Sequence, residues 1–208
     1  ASHKKKASAK TAKVMSVHER SAAADWHIHL RGGIRSLGPY VKRGFLAVAT
    51  PEGLSAKPDL PKGSSGRLQL ADWVASPENP LTGRVYVNRV WRHLFGRGIV
   101  RTTDNFGEMG ERPTHPALLD HLASSFIADG WSTKKLIRTI MLSKAYQAAA
   151  IETPQNLEID PDNLLLSRQN RRRLEVEAIR DAMLVAAGRI DPVAEKGFDK
   201  RSIFEKID

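Results

Sequence analysis

The apolar positions of this chain change period about a third of the way along it. Trp26, Ile28 and Leu30 alternate with His27 and His29, the two-residue period of a half-buried strand. Gly32-Gly33 and Gly38-Pro39 read as turns, and Phe45 to Val48 as a second short strand. Residues 51–66 are rich in Pro, Gly, Ser and Lys and read as a linker. From Ser64 the spacing becomes helical. Leu68, Ala71, Trp73 and Val74 predict a short helix that stops before Pro77. Asn79-Pro80 then offers a cap and a first-turn proline for a helix running to Phe95 and closed by Gly96. Val87, Val90, Trp91 and Leu94 fall at i, i+3, i+4 and i+7, one apolar face.

Residues 96–113 form a long glycine-containing loop. Thr114 is expected to cap the next helix, with Pro116 in its first turn, Leu118, Leu119, Leu122 and Phe126 as its buried stripe, and Gly130 as its stop. Ser132 caps the following helix. Trp131 before the cap and Leu136 beyond it fit a hydrophobic staple, and Leu136, Ile137, Ile140 and Met141 are expected to face the core. Pro154 and Asp160-Pro161 mark a loop, Asp162–Arg168 a short helix, and Leu174 to Gly188 the last long helix, with Val176, Ile179, Met183 and Ala186 as its apolar set. The fold class is mainly α: an irregular helical bundle with a small β-containing N-terminal segment. Its expected organisation is a basic flexible tail over 1–20, the β-containing segment and linker over 21–66, and a helical domain over 67–208. No internal repeat or sustained heptad interrupts this pattern.

Charge and composition narrow the chemistry. The 208 residues carry a formal net charge of +10, half of it in residues 1–20 around Lys4, Lys5, Lys6, Lys10 and Lys13. That start is either a solvated tail or an electrostatic arm for a polyanion. The absence of cysteine excludes disulfides, Cys-ligated zinc, iron–sulfur clusters, a thiol nucleophile and covalent haem attachment within the chain. No run of 18 apolar residues spans a membrane, and Lys4–Lys6 are not followed by the apolar stretch of a signal peptide. Aromatics make up 6% of residues and do not interleave with the basic runs, which weakens a single-strand stacking role.

Several polar groupings are candidates for a site. Arg84, Asn88 and Arg92 share a helical stripe, widened by Arg89 and His93, and forked guanidiniums suit carboxylates, phosphates and sulfates. Asn in mid-helix has no propensity reason to be there. Asp104, Asn105, Glu108 and Glu111 supply oxygen donors in the glycine loop without the spacing of a calcium hand. His115 sits at a helix start, as a general base or a hydrogen-bonded structural residue. His27 and His29 share a strand face without a third ligand at diagnostic spacing, so no metal site is assigned. Arg168 and Arg171–Arg173 precede a helix on which Glu177, Arg180 and Asp181 form either an acid–base pair or a salt-bridge network. There is no P-loop, G-x-S-x-G, H-E-x-x-H or C-x-x-C.

Taken in order, longer segments carry a resemblance. SPENPLTGRVYVNRVW, FGRGIVRTTDNFGEMGERPTHPALLDHLA, GWSTKKLIRTIMLSKAY and DNLLLSRQNRRRLEVEAIRDAML are similar to the C-terminal domain of unknown function of planctomycete-type exported multidomain proteins, which often carry c-type cytochrome domains (the PSD-type domain). VMSVHE and HIHLRGGIRSLGPYVKRGFLAV resemble the segment that precedes this domain. The likeness spans roughly residues 12–208. Gly83 stands where the pattern has Ala, His121 where it has Trp, and Asn105 is an insertion. KRSIFEKID resembles the start of a segment that the family continues, which implies a domain cut before its last helices.

The resemblance implies an exported, periplasmic protein, with haem in another domain or subunit and no cofactor in this chain. It implies no established enzymatic activity, and it points to other domains or subunits of a cytochrome-containing protein as partners in a setting of sulfated-polysaccharide use. Its polar motif positions fall on Arg84, Asn88, Arg89, Asp104, His115, Arg138, Arg180 and Asp181, to which the helical stripe adds Arg92 as a binding residue. Three functions stay open. One is a module for anionic glycans or redox-partner docking. Another is a helical module binding polyanions, nucleic acid included. The last is a structural scaffold.

Overall fold

The computed structural model describes residues 23–53 and 55–191, together with Met15, Ser16, His18, Arg201 and Ser202. Most of the basic tail and of the C-terminal KRSIFEKID segment lies outside the described residues. The described chain is mainly helical, with six α-helices and one two-stranded antiparallel sheet. It divides into two compact units, residues 1–86 and 87–208.

In the first unit β1 (Trp26–His29) pairs with β2 (Leu37–Val41), Trp26 facing Val41 and His27 facing Tyr40. The register slips between His27 and His29. Gly38 is required there, because a Cβ would meet the Leu30 side chain at 2.9 Å and the Ile28 carbonyl at 3.1 Å. Gly38-Pro39 therefore lies inside a strand and is not the expected turn. Both strands are edge strands among the described residues, the setting in which a proline is tolerated within a strand. The expected strand over Phe45 to Val48 is instead a 3-10 turn, Ala47–Ala49.

The alternation of β1 holds, but with inverted burial. Trp26, Ile28 and Leu30 are exposed, whereas His27 and His29 are half-buried through local bonds. The His27 Nδ1 meets the Gly38 carbonyl oxygen at 2.8 Å, and the Trp26 indole N–H donates to His29 Nε2 at 3.0 Å. The Arg43 backbone N–H and Nε both donate to Asp25 Oδ1, and its Nη1 donates to the Ser64 carbonyl. These bonds, the backbone one first, hold the Asp25 carboxyl below its ordinary value of 3.8. The contact is therefore lost at a lower pH than the ordinary aspartate value would set. In an NMR titration the Asp25 midpoint should lie below 3.8 and should rise in Arg43→Met.

Helix α1 (Arg67–Ala75) follows, ending before Pro77 as expected. Asn79 is buried and receives the Leu81 and Thr82 backbone N–H groups on Oδ1 at 3.0 and 3.2 Å. It thereby starts α2 (Thr82–Phe95), and Gly96 at φ +81° ends it.

The second unit contains most of α2, the 96–113 loop, α3 (Pro116–Ala128), α4 (Thr133–Met141), α5 (Pro154–Ile159) and α6 (Val176–Ala186). Its core joins Val87, Trp91 and Phe95 to Ile99, Val100, Leu119, Leu122, Phe126, Leu136 and Ile140. Trp91 and Phe95 stack at 4.1 Å, and Tyr146 meets Phe95 edge-on at 5.5 Å. Between α3 and α4 the Gly130 N–H donates to the Ile127 carbonyl and the Trp131 N–H to the Phe126 carbonyl, the paired bonds of a left-handed helix stop. Trp131 packs edge-on against Phe126 at 5.3 Å, and Ser132 Oγ caps α4 by accepting the Lys135 N–H. The Gly130 stop and the Ser132 cap are those the sequence predicts, whereas the expected staple is to Leu136 and the ring that Trp131 meets is Phe126.

Other expectations need correction. Thr114 does not cap α3; its hydroxyl donates to the Ile99 carbonyl, and His115 occupies the cap position without a side-chain cap. Met141 is exposed. The helix expected at Asp162–Arg168 is a loop, and a helix forms at Pro154–Ile159, where Thr153 caps the Asn156 N–H. Side-chain bonds outcompete the helix in that loop: Asp160 accepts the Leu164 and Leu165 N–H groups, while Asn163 and Leu166 adopt positive φ. Helix α6 leaves Val176, Ile179 and Met183 exposed and buries Leu184. Its rotation follows the side that holds Arg180 and Asp181, both bonded to Ser202.

Candidate functional site

The α2 stripe splits into a buried and an exposed half. Asn88 is fully buried among Val87, Trp91 and Phe95. Its Nδ2 donates to the Val100 carbonyl at 3.0 Å, and its Oδ1 accepts the Val100 N–H at 2.9 Å. The amide thus imitates a strand partner for one loop residue, and Ile99 and Val100 enter the core with their backbone satisfied. Gly98 is part of the same device, since a Cβ there would collide with the Val100 carbonyl and crowd the Asn88 amide at 2.9 Å.

Arg89, Arg92 and His93 lie at i, i+3 and i+4 and share the exposed side of α2. The Arg92 Nη1 donates to Thr103 Oγ1 at 3.0 Å, which anchors this side chain over the loop. The Arg172 guanidinium donates to the His93 carbonyl and packs over Gly96, placing a further cation at the negative end of the helix dipole. None of these three arginines makes an ion pair with a carboxylate among the described residues. Arg97 is bound to the Asp162 carbonyl, and Arg168 is buried on the Asp160 and Pro161 carbonyls. Of the basic run after α5, Arg168 is therefore a loop brace, and Arg172 belongs to the α2 face.

The remaining candidates stand apart. The Arg84 Nη1 donates to the Pro80 carbonyl at 2.6 Å, one turn back on its own helix start. Asp104 and Arg138 are exposed. His115 Nδ1 lies 3.0 Å from Thr114 Oγ1. The cleft beside His115 is lined by Trp91, Phe95, Asn163 and Asn170 and contains neither Asn88 nor Asp181. At about 20 Å³ it has room for one water. Asp181 Oδ1 accepts the Ser202 hydroxyl at 2.7 Å and its N–H at 2.8 Å, with Arg180 Nη1 at 3.7 Å. These bonds, the hydroxyl first, lower the Asp181 carboxyl from its ordinary value, the opposite of a poised general acid. Among the described residues no group of three His, Asp or Glu side chains is placed to hold a metal ion.

A family model described as PSD1, protein of unknown function (DUF1553), matches residues 66–203. The chain belongs to this family. The match covers α1 through α6, so the Asn88 clamp, the arginine face and the Asp181–Ser202 contact all lie within the PSD1 region. No curated protein and no solved structure matches the chain. Sequence reasoning singled out Asn88 as an unusual mid-helix residue and placed Arg92 on the same stripe. It missed Arg172 and Thr103 as companions of the α2 face, because both reach it through the tertiary fold.

Proposed function

We propose that the PSD1 domain is a docking module whose exposed α2 face, Arg89, Arg92 and His93 with Arg172, receives an anionic partner. A sulfated glycan is the favoured class, in an exported protein associated with c-type cytochromes, with haem carried by another domain or subunit. The observation that carries this reading is the pairing of cations one helical turn apart without a carboxylate. Such like-charged spacing destabilises a helix by about 0.2–0.5 kcal/mol per pair, and a face kept in this state is suited to anions. The dispersal of Arg84, Asn88, His115 and Asp181 into separate local contacts favours binding over acid–base catalysis.

The test is a salt titration of binding to a sulfated glycan and to duplex DNA. It compares the full chain with Arg89→Gln/Arg92→Gln and with a tail variant in which Lys4, Lys5, Lys6, Lys10 and Lys13 become Gln. The double variant should weaken glycan binding about tenfold or more, since each charge-assisted bond contributes about 1.5–3 kcal/mol. The tail variant should keep its preference for glycan over DNA. Equal loss of both polymers with the tail charges alone would overturn the reading and assign the binding to unspecific electrostatics. On duplex DNA each phosphate contact contributes about −0.9 to the log–log salt slope.

A further inference from the structure

Of the basic residues that make up the exposed α2 face, only His93 carries a conditional charge. Arg89, Arg92 and Arg172 stay charged, whereas an imidazole gains its charge as pH falls from about 8 to about 5. His93 is exposed, and its ring makes no hydrogen bond or ion pair among the described residues. Arg89 lies one turn before it on the same side of the helix.

The other two guanidiniums are held in place by neutral oxygens. Arg92 donates to the Thr103 hydroxyl at 3.0 Å, and Arg172 donates to the His93 carbonyl itself, with its stem over Gly96. Such bonds fix the cations and leave their charge unneutralised. The segment that carries Arg172 also brings Arg171, Arg173 and Glu175. The glycine loop brings Asp104 and Glu108, its Arg101 and Glu111 being paired with each other at 3.6 Å. The turn whose carbonyl holds Arg97 brings Asp162. Among the described residues, none of Glu175, Asp104, Glu108 and Asp162 is ion-paired with the face.

We propose, resting on the docking reading above, that anion binding on this face is coupled to protonation of His93 and therefore tightens as pH falls. An anion lying on Arg89 and Arg92 sets negative charge within one helical turn of the ring, which favours the charged imidazole. The proton comes from solvent to a ring nitrogen, which then donates to an oxygen of the anion; a sulfate stays ionised and releases none. Coupling of this kind is reciprocal, so the proton strengthens the anion by the factor with which the anion strengthens the proton. One helical turn of separation makes that factor about tenfold. The gain is complete below the histidine range and absent above it.

The probe is sucrose octasulfate, titrated by calorimetry into the full chain with its five tail lysines changed to Gln. Heats are compared in two buffers of unlike ionisation enthalpy at about pH 6.5, and affinities at about pH 8 and about pH 5. Binding should take up a fraction of a proton, read as buffer-dependent heat, and should tighten about tenfold from the higher pH to the lower. His93→Gln should lose the uptake and most of that gain. His93→Lys carries the charge permanently, so it should bind at about pH 8 nearly as tightly as the parent chain does at about pH 5, without uptake. His121→Gln, exposed on α3, should keep both the uptake and the gain. Binding that is lost in Arg89→Gln/Arg92→Gln yet gives the same heat in both buffers overturns the coupling and leaves the docking reading standing. Uptake that survives in His93→Gln overturns the coupling as well. An octasulfate that binds at neither pH, or binds equally without Arg89 and Arg92, overturns the docking reading and the coupling with it.

Discussion

Asn88→Ala should destabilise the second unit by about 2–5 kcal/mol, more than its loss of one small polar side chain suggests. The side chain is wholly buried, and both its amide atoms are spent on Val100, itself 3% exposed. Truncation leaves a buried N–H and a buried carbonyl without partners, at about 1–3 kcal/mol each. Water does not replace them without opening the core around Ile99 and Val100. Asn88→Asp separates the two bonds. It retains an acceptor for the Val100 N–H but sets a carboxylate oxygen against the Val100 carbonyl, so it should cost at least as much as Ala. Urea unfolding followed through tryptophan fluorescence in a chain with Trp26 and Trp73 replaced by Phe, so that Trp91 and Trp131 report on the second unit, measures both, as a lower midpoint at unchanged slope. A loss below about 0.5 kcal/mol in Asn88→Ala would mean that the loop does not depend on the clamp.

Phe95→Ala should cost about 3–5 kcal/mol by the cavity it leaves. The ring is 1% exposed, stacked on Trp91 and met by Tyr146, and its carbonyl accepts the Asn170 Nδ2. It therefore ties α2 to two later segments of the chain. Phe95→Leu should recover much of the loss, because most of the volume is restored. Met183→Ala is the informative contrast. The helical spacing of α6 marks Met183 as core, yet the side chain is exposed, so its truncation should stay within about 0.5 kcal/mol. A large effect at Met183 would show that the apolar stripe of α6 is buried in solution.

The elements that the sequence made legible are those governed by neighbours in the chain. The cap at Asn79, the stop at Gly96 and the Gly130–Trp131–Ser132 corner all rest on interactions within about six residues. Asn88 was visible as an anomaly, because asparagine disfavours a helix interior. What it does there was hidden. The partner of Asn88 lies 12 residues on, at Val100, and Arg172 reaches His93 from 79 residues away.

The failures have the same origin. A period of two or of 3.6 shows that a segment has two unlike sides, but only tertiary contacts choose which side is buried. In β1 the histidines won inward positions through bonds to Gly38 and Trp26, and the apolar side was left exposed. Helix α6 turned with Arg180 and Asp181 toward Ser202. At Asp160–Arg168 the carboxylate and amide bonds to the backbone overrode the helical pattern. The sequence by itself determined the mainly helical class, most helix boundaries, the cysteine-free chemistry and the residues that break local rules. The tertiary structure alone decided which side of β1 and α6 is buried and the partners of Asn88 and Arg172, because hydrogen bonds across long chain separations leave no periodic trace.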